Sequence, residues 1–297
     1  MNVFRLHVKT YGDRRDSFAY CRENGLLGLG WPVNPDGAKS LTWDGYTKRA
    51  TAEARRRVGP LHDRVKPDDL IWTRDLYGGR YYLARVCSPW EYLNTEKGRE
   101  VDVVNVVRCD LREVPLVDDV PGKIVACFRA PRTIQRISNP TAVSYSQMLW
   151  NDLSGTTDYA LSPEQPRDIF ACLDSESVED VVFMYLQHRG WFVVPNSRKA
   201  DTMAYEFGVI HPKTRERALV QVKTGDARLR LDEWDCREKV FLFQTSGLYD
   251  GVPTTNVVKL LPAEINEFMR EHGAILPSAV RRWVARCACG RIPQGSR

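Results

Sequence analysis

The sequence predicts an α+β chain of two domains, a small N-terminal β-barrel followed by a C-terminal α/β domain. With 297 residues the chain suffices for two domains at roughly 150 residues each. Its first third reads as short apolar strands separated by Gly-, Asp- and Pro-marked turns. Beyond residue 166 the pattern becomes a helical apolar face followed by paired strands. The boundaries this implies are a first domain over 1–138, a linker over 139–166 and a second domain over 167–297.

In the first domain Val3–Val8 alternates with period two, and Gly25–Trp31 (GLLGLGW) is a Gly-spaced apolar strand. The basic stretch between Ala50 and Val58 has helical character. Lys66–Asp69 is a turn that feeds the strand Leu70–Thr73, and Tyr77–Arg80 is a tight turn into Tyr81–Val86, together a hairpin. Val101–Val107 is a further strand, and Pro131 opens a short helical segment, RTIQRI. The linker follows from the Ser, Thr, Asn and Pro content after Asn139. In the second domain Ser175 caps a helix whose apolar face is Val178, Val181, Val182, Tyr185 and Leu186, ended by Gly190. Trp191–Val194 is an apolar run before a turn at Pro195 and Asn196, and Ala204–Ile210 is a strand that turns back antiparallel as Ala218–Lys223. Val240–Phe243 and Asn256–Leu260 are strands, and Pro262 begins a closing helix.

Composition narrows the function classes. With 43% hydrophobic and 27% charged residues the chain is not mainly disordered, and a net charge of +5 permits a nucleic-acid partner without requiring one. No apolar run approaches the ~20 residues that span a bilayer, so no membrane partner is expected. The N-terminal MNVFRLHVKTYGDRRD carries charges where a signal peptide needs an apolar stretch, which points to a cytoplasmic location. The eight cysteines are scattered, with only Cys287 and Cys289 close together, and the histidines are isolated; reduced thiols are expected rather than a zinc site. The glycines of residues 25–30 fall as GxxGxG, which is not a dinucleotide fingerprint, and Pro121-Gly122-Lys123 lacks the remaining spacing of a P-loop.

The polar residues of the second domain's hairpin carry the chemistry. Glu206 lies in one strand, and Gln221 and Lys223, two apart in the next, share a face. Polar groups among buried valines are costly unless something uses them. Oxygen ligands from Glu206, Gln221 and a backbone carbonyl such as that of Val222 would suit Mg2+. Lys223 would then orient or deprotonate a water and offset phosphate charge, with Glu179 on the preceding helix completing the site or holding a second ion. A plainer arrangement uses the same residues: Glu206 at a sheet edge with Lys223 as its ion-pair partner, Gln221 as a surface polar group, and Glu179 as a favourable first-turn charge. Glu176 competes with Glu179 for the helix role. Asn196, Ser197 and Asp201 read as turn formers, and Thr224 and Gly225 would allow close approach beside the strand.

A helix with a glutamate, an acidic residue on a strand, a hairpin and an acid-x-Lys strand is an order that resembles the PD-(D/E)xK nuclease superfamily over roughly residues 170–260. In that resemblance Glu206 stands where aspartate is usual, Gln221-Val222-Lys223 stands for (D/E)xK, and Glu179 is the helix glutamate. The glutamine form, QxK, occurs among Mrr-like restriction nucleases. The resemblance implies Mg2+-dependent hydrolysis of a phosphodiester, with Glu179, Glu206, Gln221 and Lys223 catalytic and Glu179, Glu206 and Gln221 on the metal.

The first domain is rich in tryptophan and tyrosine beside glycine and arginine, a composition that suits stacking on a base held outside a helix. Trp31, Trp43 and Trp72 flank turns or strand ends and are candidates for a base pocket; the same rings would also serve as barrel core. Arg55, Arg56 and Arg57 would contact phosphates or form a solvated helix face. The strings GLLGLGW, DDLIWTRD and YYLARV resemble PUA-like domains, including the EVE type, over roughly residues 1–135. Pairing such a reader with a nuclease implies a modification-dependent restriction or anti-phage defence endonuclease acting on DNA, and leaves a homodimer open. The alternatives are a non-catalytic nucleic-acid-binding protein on a nuclease-like scaffold and an RNA-directed factor.

Overall fold

A computed structural model describes residues 1–8, 14–33, 40–161, 168–195, 197, 205–234 and 237–288. The chain divides into two units of mixed α/β structure, one of residues 1–120 with 124–161, the other of 121–123 with 162–297. No helix among the described residues is long and apolar enough to cross a membrane.

The first unit contains β1 (Val3–Leu6), α1 (Arg14–Glu23), β2 (Leu26–Leu29), α2 (Trp43–Arg49), α3 (Ala52–Arg64), β3 (Leu70–Asp75), β4 (Arg80–Val86), β5 (Glu91–Tyr92), α4 (Glu96–Glu100) and β6 (Asn105–Glu113). It continues with β7 (Ile134–Ile137) and α6 (Pro140–Ser154), and the short α5 (Gly122–Cys127) spans the boundary between the units. The strands form a sheet in the order β2-β6-β4-β3-β1-β7, with β5 also on β6, curled into a half-barrel where a small barrel was expected. The strands pair antiparallel except β1 with β3. Strand alternation gives the sheet two unlike faces. One carries Phe4, Leu6, Ile71, Tyr82 and Ala84 into a core shared with Phe18, Tyr46, Val58 and Leu61 of the helices. The other carries Val3, Arg5, Leu70 and Trp72, paired in register across β1 and β3.

Three expectations for this unit are corrected. Residues 134–137 form the strand β7 rather than a helix, because Ile134–Ile137 finds a full antiparallel partner in β1. The segment 139–166 is not simply a linker, for most of it is α6. Asn139 caps that helix by accepting from Ala142 N at 2.9 Å, Pro140 opens it and Gly155 closes it at φ 68°. Its residues Ala142, Tyr145, Ser146, Leu149 and Trp150 are buried, a helical spacing masked by the polar composition around it. Trp72, expected at a pocket, is fully buried, and its Nε1 donates to Ser146 Oγ of α6 at 2.8 Å. It is a core residue.

The second unit contains α7 (Ser175–His188), β8 (Phe192–Val193), β9 (Phe207–Ile210), β10 (Arg217–Lys223), β11 (Leu229–Arg230), β12 (Lys239–Gln244), β13 (Tyr249–Asp250), β14 (Val257–Leu260), α8 (Pro262–Glu271) and α9 (Ser278–Ala288). Asp174, not Ser175, caps α7: its buried carboxylate accepts from Ser177 N at 2.7 Å, and burial raises it above the usual carboxyl range. The main sheet runs β14-β12-β10-β9-β8. β8, β9 and β10 form an antiparallel meander, whereas β12 and β14 run parallel to β10. The crossover that a parallel pair requires, residues 224–238, holds β11, which pairs with β13 in a separate small sheet.

Alternation again separates two faces. Phe207, Val220, Val222, Phe241 and Phe243 face α7 and its neighbours, as the ring contacts of Phe183 with Phe207 (5.8 Å) and Trp191 with Phe241 (5.1 Å) show. On the other face Val240, Leu242 and Val257 pack with Leu229, Leu231, Trp234 and Tyr249. Gln221 and Lys223 belong to that second face.

Trp72→Ala is expected to lower the unfolding free energy by about 3–5 kcal/mol through cavity formation, read as a drop in urea midpoint at unchanged slope. Trp72→Phe is expected to cost clearly less.

Candidate active site

The antiparallel register brings the expected residues together. The ladder ends where Phe207 pairs with Val220, so Glu206, expected inside the strand, lies just before β9, one residue beyond the last pair and beside Gln221. Glu206 N still donates to Val220 O at 2.8 Å, which holds this residue against β10. Gln221 Nε2 donates to Glu206 Oε1 at 3.0 Å and lies 3.4 Å from Val222 O. Lys223 Nζ is 3.7 Å from the same Glu206 oxygen. The three side chains therefore converge at the end of one sheet face.

Burial differs across the group and decides its chemistry. Gln221 is 5% exposed, so the reading of it as a surface polar group is wrong. Its Oε1 is buried without a hydrogen-bond partner, an arrangement that costs about 1–3 kcal/mol. Lys223 and Glu206 keep 43% and 29% of their side chains exposed, so their ion pair contributes at most about 1 kcal/mol. The polar group is thus not explained by stability alone.

As it stands the group is two acceptors and an amide donor, and it would suit a hard divalent cation only with the amide turned. Two oxygens, from Glu206 and the Val222 carbonyl, face the Gln221 amide nitrogen. Exchange of the two ends of that amide would present three oxygens in its place, a set that Mg2+ completes with waters. The set carries one carboxylate beside one ammonium, so cation affinity is weak by charge. Among the described residues no group of three or more His, Cys, Asp or Glu side chains is arranged to hold a metal.

The structure does not bring Glu179 into this group. Its helix, α7, lies against the Val220 and Val222 face, opposite Gln221 and Lys223, and among the described residues the polar contacts of the three do not include it. Glu176, the competing glutamate, pairs with Lys123 at 3.2 Å and accepts from Ser175 Oγ at 2.8 Å. Ser197 Oγ accepts from Gly208 N at 2.7 Å and donates to Val194 O at 2.6 Å, a turn former as expected; Asn196 and Asp201 lie outside the described residues.

Gln244 and Thr245, which were not singled out from sequence, shape the site's border. Gln244 pairs in register with Lys223 and is fully buried. Its Nε2 donates to Gly225 O (2.7 Å) and Ala227 O (2.9 Å), and its Oε1 accepts from Ser246 N and Leu248 N. Gly225, at φ 63°, donates its N–H to Thr245 Oγ1. These bonds pin the backbone immediately after Lys223. A glutamine ending the apolar string VFLF was the available signal. A cleft of about 390 Å³ lined by Tyr185, Trp191, His211 and Phe241 lies on the helix-covered face and includes none of the three site residues.

In the first unit Trp43 and Trp31 border an aromatic group. Trp43, partly buried at the start of α2, stacks on His62 with centroids 4.1 Å apart and meets Trp90 edge-on at 5.1 Å. Trp31 holds a left-handed backbone at φ 63°, and its carbonyl accepts from Tyr46 Oη at 3.1 Å. Asn105 Nδ2 donates to Gly30 O at 2.6 Å, which orients the amide. Its Oδ1 and the Nε1 of Trp90 are both buried without partners. Arg55 donates to Thr47 O and Ala50 O, closing the end of α2, and Arg56 and Arg57 flank Glu53.

Gln221→Leu is expected to leave the unfolding free energy unchanged or raise it by about 1 kcal/mol, since it removes an unpaired buried oxygen. A urea titration that shows a loss above about 2 kcal/mol would make the amide a structural element instead. No model of a known protein family matches the chain, and no curated protein matches it by sequence.

Proposed function

We propose that the second unit is a Mg2+-dependent nuclease of the PD-(D/E)xK type that hydrolyses phosphodiester bonds in DNA. The observation that carries this reading is the meeting of Glu206, just before β9, with Gln221 and Lys223 of β10, and a buried amide oxygen that no protein group uses. The antiparallel meander followed by parallel strands supports it, as does the order of a helix before the hairpin.

Glu206, Gln221 and the Val222 carbonyl would hold the cation. When bound, Mg2+ supplies an acidified water and charge compensation at the phosphate. Lys223 keeps 43% of its side chain exposed beside Glu206, where its ammonium would donate to a non-bridging phosphate oxygen and stabilise charge that builds during in-line attack. Gln244 positions Lys223 indirectly by fixing the turn that follows it. Glutamine in place of an acid removes one negative charge, which lowers cation affinity and lessens repulsion of the DNA backbone.

A reader role for the first unit is favoured by a separate observation, the unpaired Asn105 Oδ1 and Trp90 Nε1 within the aromatic group that Trp43 borders. A planar base that donates to one and accepts from the other would satisfy both, and Trp43 offers a stacking face. Together the two readings describe a modification-dependent restriction or defence nuclease.

Lys223→Ala is expected to abolish Mg2+-dependent cleavage of plasmid DNA while moving stability by no more than about 1 kcal/mol. Cleavage that persists in this variant would overturn the nuclease reading. Trp43→Ala is expected to weaken binding to duplexes with a modified base by about tenfold, roughly 1–3 kcal/mol for one stacked base, and to affect plain duplexes less. Equal losses for both duplexes in an anisotropy titration would assign Trp43 to packing.

A further inference from the structure

The sheet face of the first unit that carries Arg5 and Trp72 gathers arginines that form no ion pair among the described residues. Arg5 of β1 is fully buried, yet its guanidinium donates only to neutral acceptors: Arg132 O, Thr133 O, Ala130 O and Gln135 Oε1, the last at 2.9 Å. Arg74 of β3 lies on the same face, two residues beyond the partner of Arg5. Both guanidinium groups stand over the ring of Phe128, at 5.8 and 5.0 Å. Arg129 and Arg132 are exposed on the adjoining turn. Among the described residues none of the four is in an ion pair, and Arg74 Nε is buried without a partner. Burial is the largest influence against the Arg5 charge, and Arg74 and Arg132 add to it.

Like charges collected around an aromatic ring repel one another. The fork of Arg5 is spent on the turn, whereas Arg74, Arg129 and Arg132 have no carboxylate partner among the described residues. Folding keeps this arrangement because Arg5 ties the turn 130–133 to β1, and an anion would relieve the repulsion. We propose that Arg74 and Arg132, beside Arg5 and Phe128, form a binding site for a phosphate group, to which Arg129, exposed next to Phe128 in the chain, adds positive charge. Guanidinium forks match phosphate oxygens in pairs, which favours this anion over a single-point acceptor such as chloride. The site differs from the Arg55–Arg57 segment, where Arg55 already closes a helix and the other two flank Glu53. It is independent of the nuclease reading.

The test uses the full chain without Mg2+, so that binding is read apart from cleavage. The probes are a labelled plain DNA duplex, inorganic phosphate and a nucleoside 5′-monophosphate. The variant is Arg74→Gln with Arg132→Gln; Arg132→Gln alone, on an exposed turn, serves if the double variant fails to fold. Arg136→Gln, on the opposite strand face, is the control. If the phosphate belongs to a nucleic-acid backbone, anisotropy should show about five- to tenfold weaker duplex binding, and the salt slope should fall by about 0.9 for one lost phosphate contact. If it belongs to a free ligand, phosphate or the monophosphate should raise the wild-type melting temperature and not that of the variant, with duplex binding unchanged. Unchanged binding of all three probes would overturn the proposal, as would an equal loss in Arg136→Gln.

Discussion

The cross-strand pairing of Glu206 with Gln221 is the interaction on which the second unit's functional reading depends. An antiparallel ladder sets side chains opposite one another at close range, so a single register decides which polar atoms meet. Here that register joins a carboxylate, an amide and, two residues on, an ammonium at the end of a strand whose other face is wholly apolar. The amide is the unusual member. It is buried, it spends its nitrogen on Glu206, and its oxygen is left without a donor.

Around that pair the fold supplies rigidity from both sides. Aromatic residues of β9 and β12 pack against Phe183 of α7 and against Trp191, so the strand backbone that carries the polar group is anchored beneath it. Gln244 saturates its amide on the loop after Lys223, which converts a flexible glycine-containing turn into a fixed border. The first unit uses the same logic differently: its half-barrel sheet has one face given to an apolar core and another to Trp72 and Arg5, each paired by a hydrogen bond to a specific partner.

Much of the local structure was legible from residue order. The hairpin at Tyr77–Arg80, the α7 apolar stripe and the β9–β10 return all follow from periodicity and turn residues, and the structure has them. The errors share a cause. RTIQRI has helical spacing in isolation, yet β1 offers an edge and the segment becomes a strand. The polar composition after Asn139 hid α6, whose cap and apolar spacing were present but outweighed. Trp72 stood beside a turn as a pocket residue would, and only the arrival of Ser146 from a distant helix made it core.

For the site, local alternation alone determined that Gln221 and Lys223 share a face, because side chains on a strand have period two wherever the strand lies. Pairing them with Glu206 needed the hairpin's register, which the turn between the strands left open by a residue or more. Burial of the Gln221 oxygen, the placement of α7 against the opposite face, and the approach of Arg5 and Arg74 to Phe128 were decided by tertiary structure. Each depends on contacts between segments far apart in the chain, and no local pattern encodes which distant atoms will exclude water from a given group.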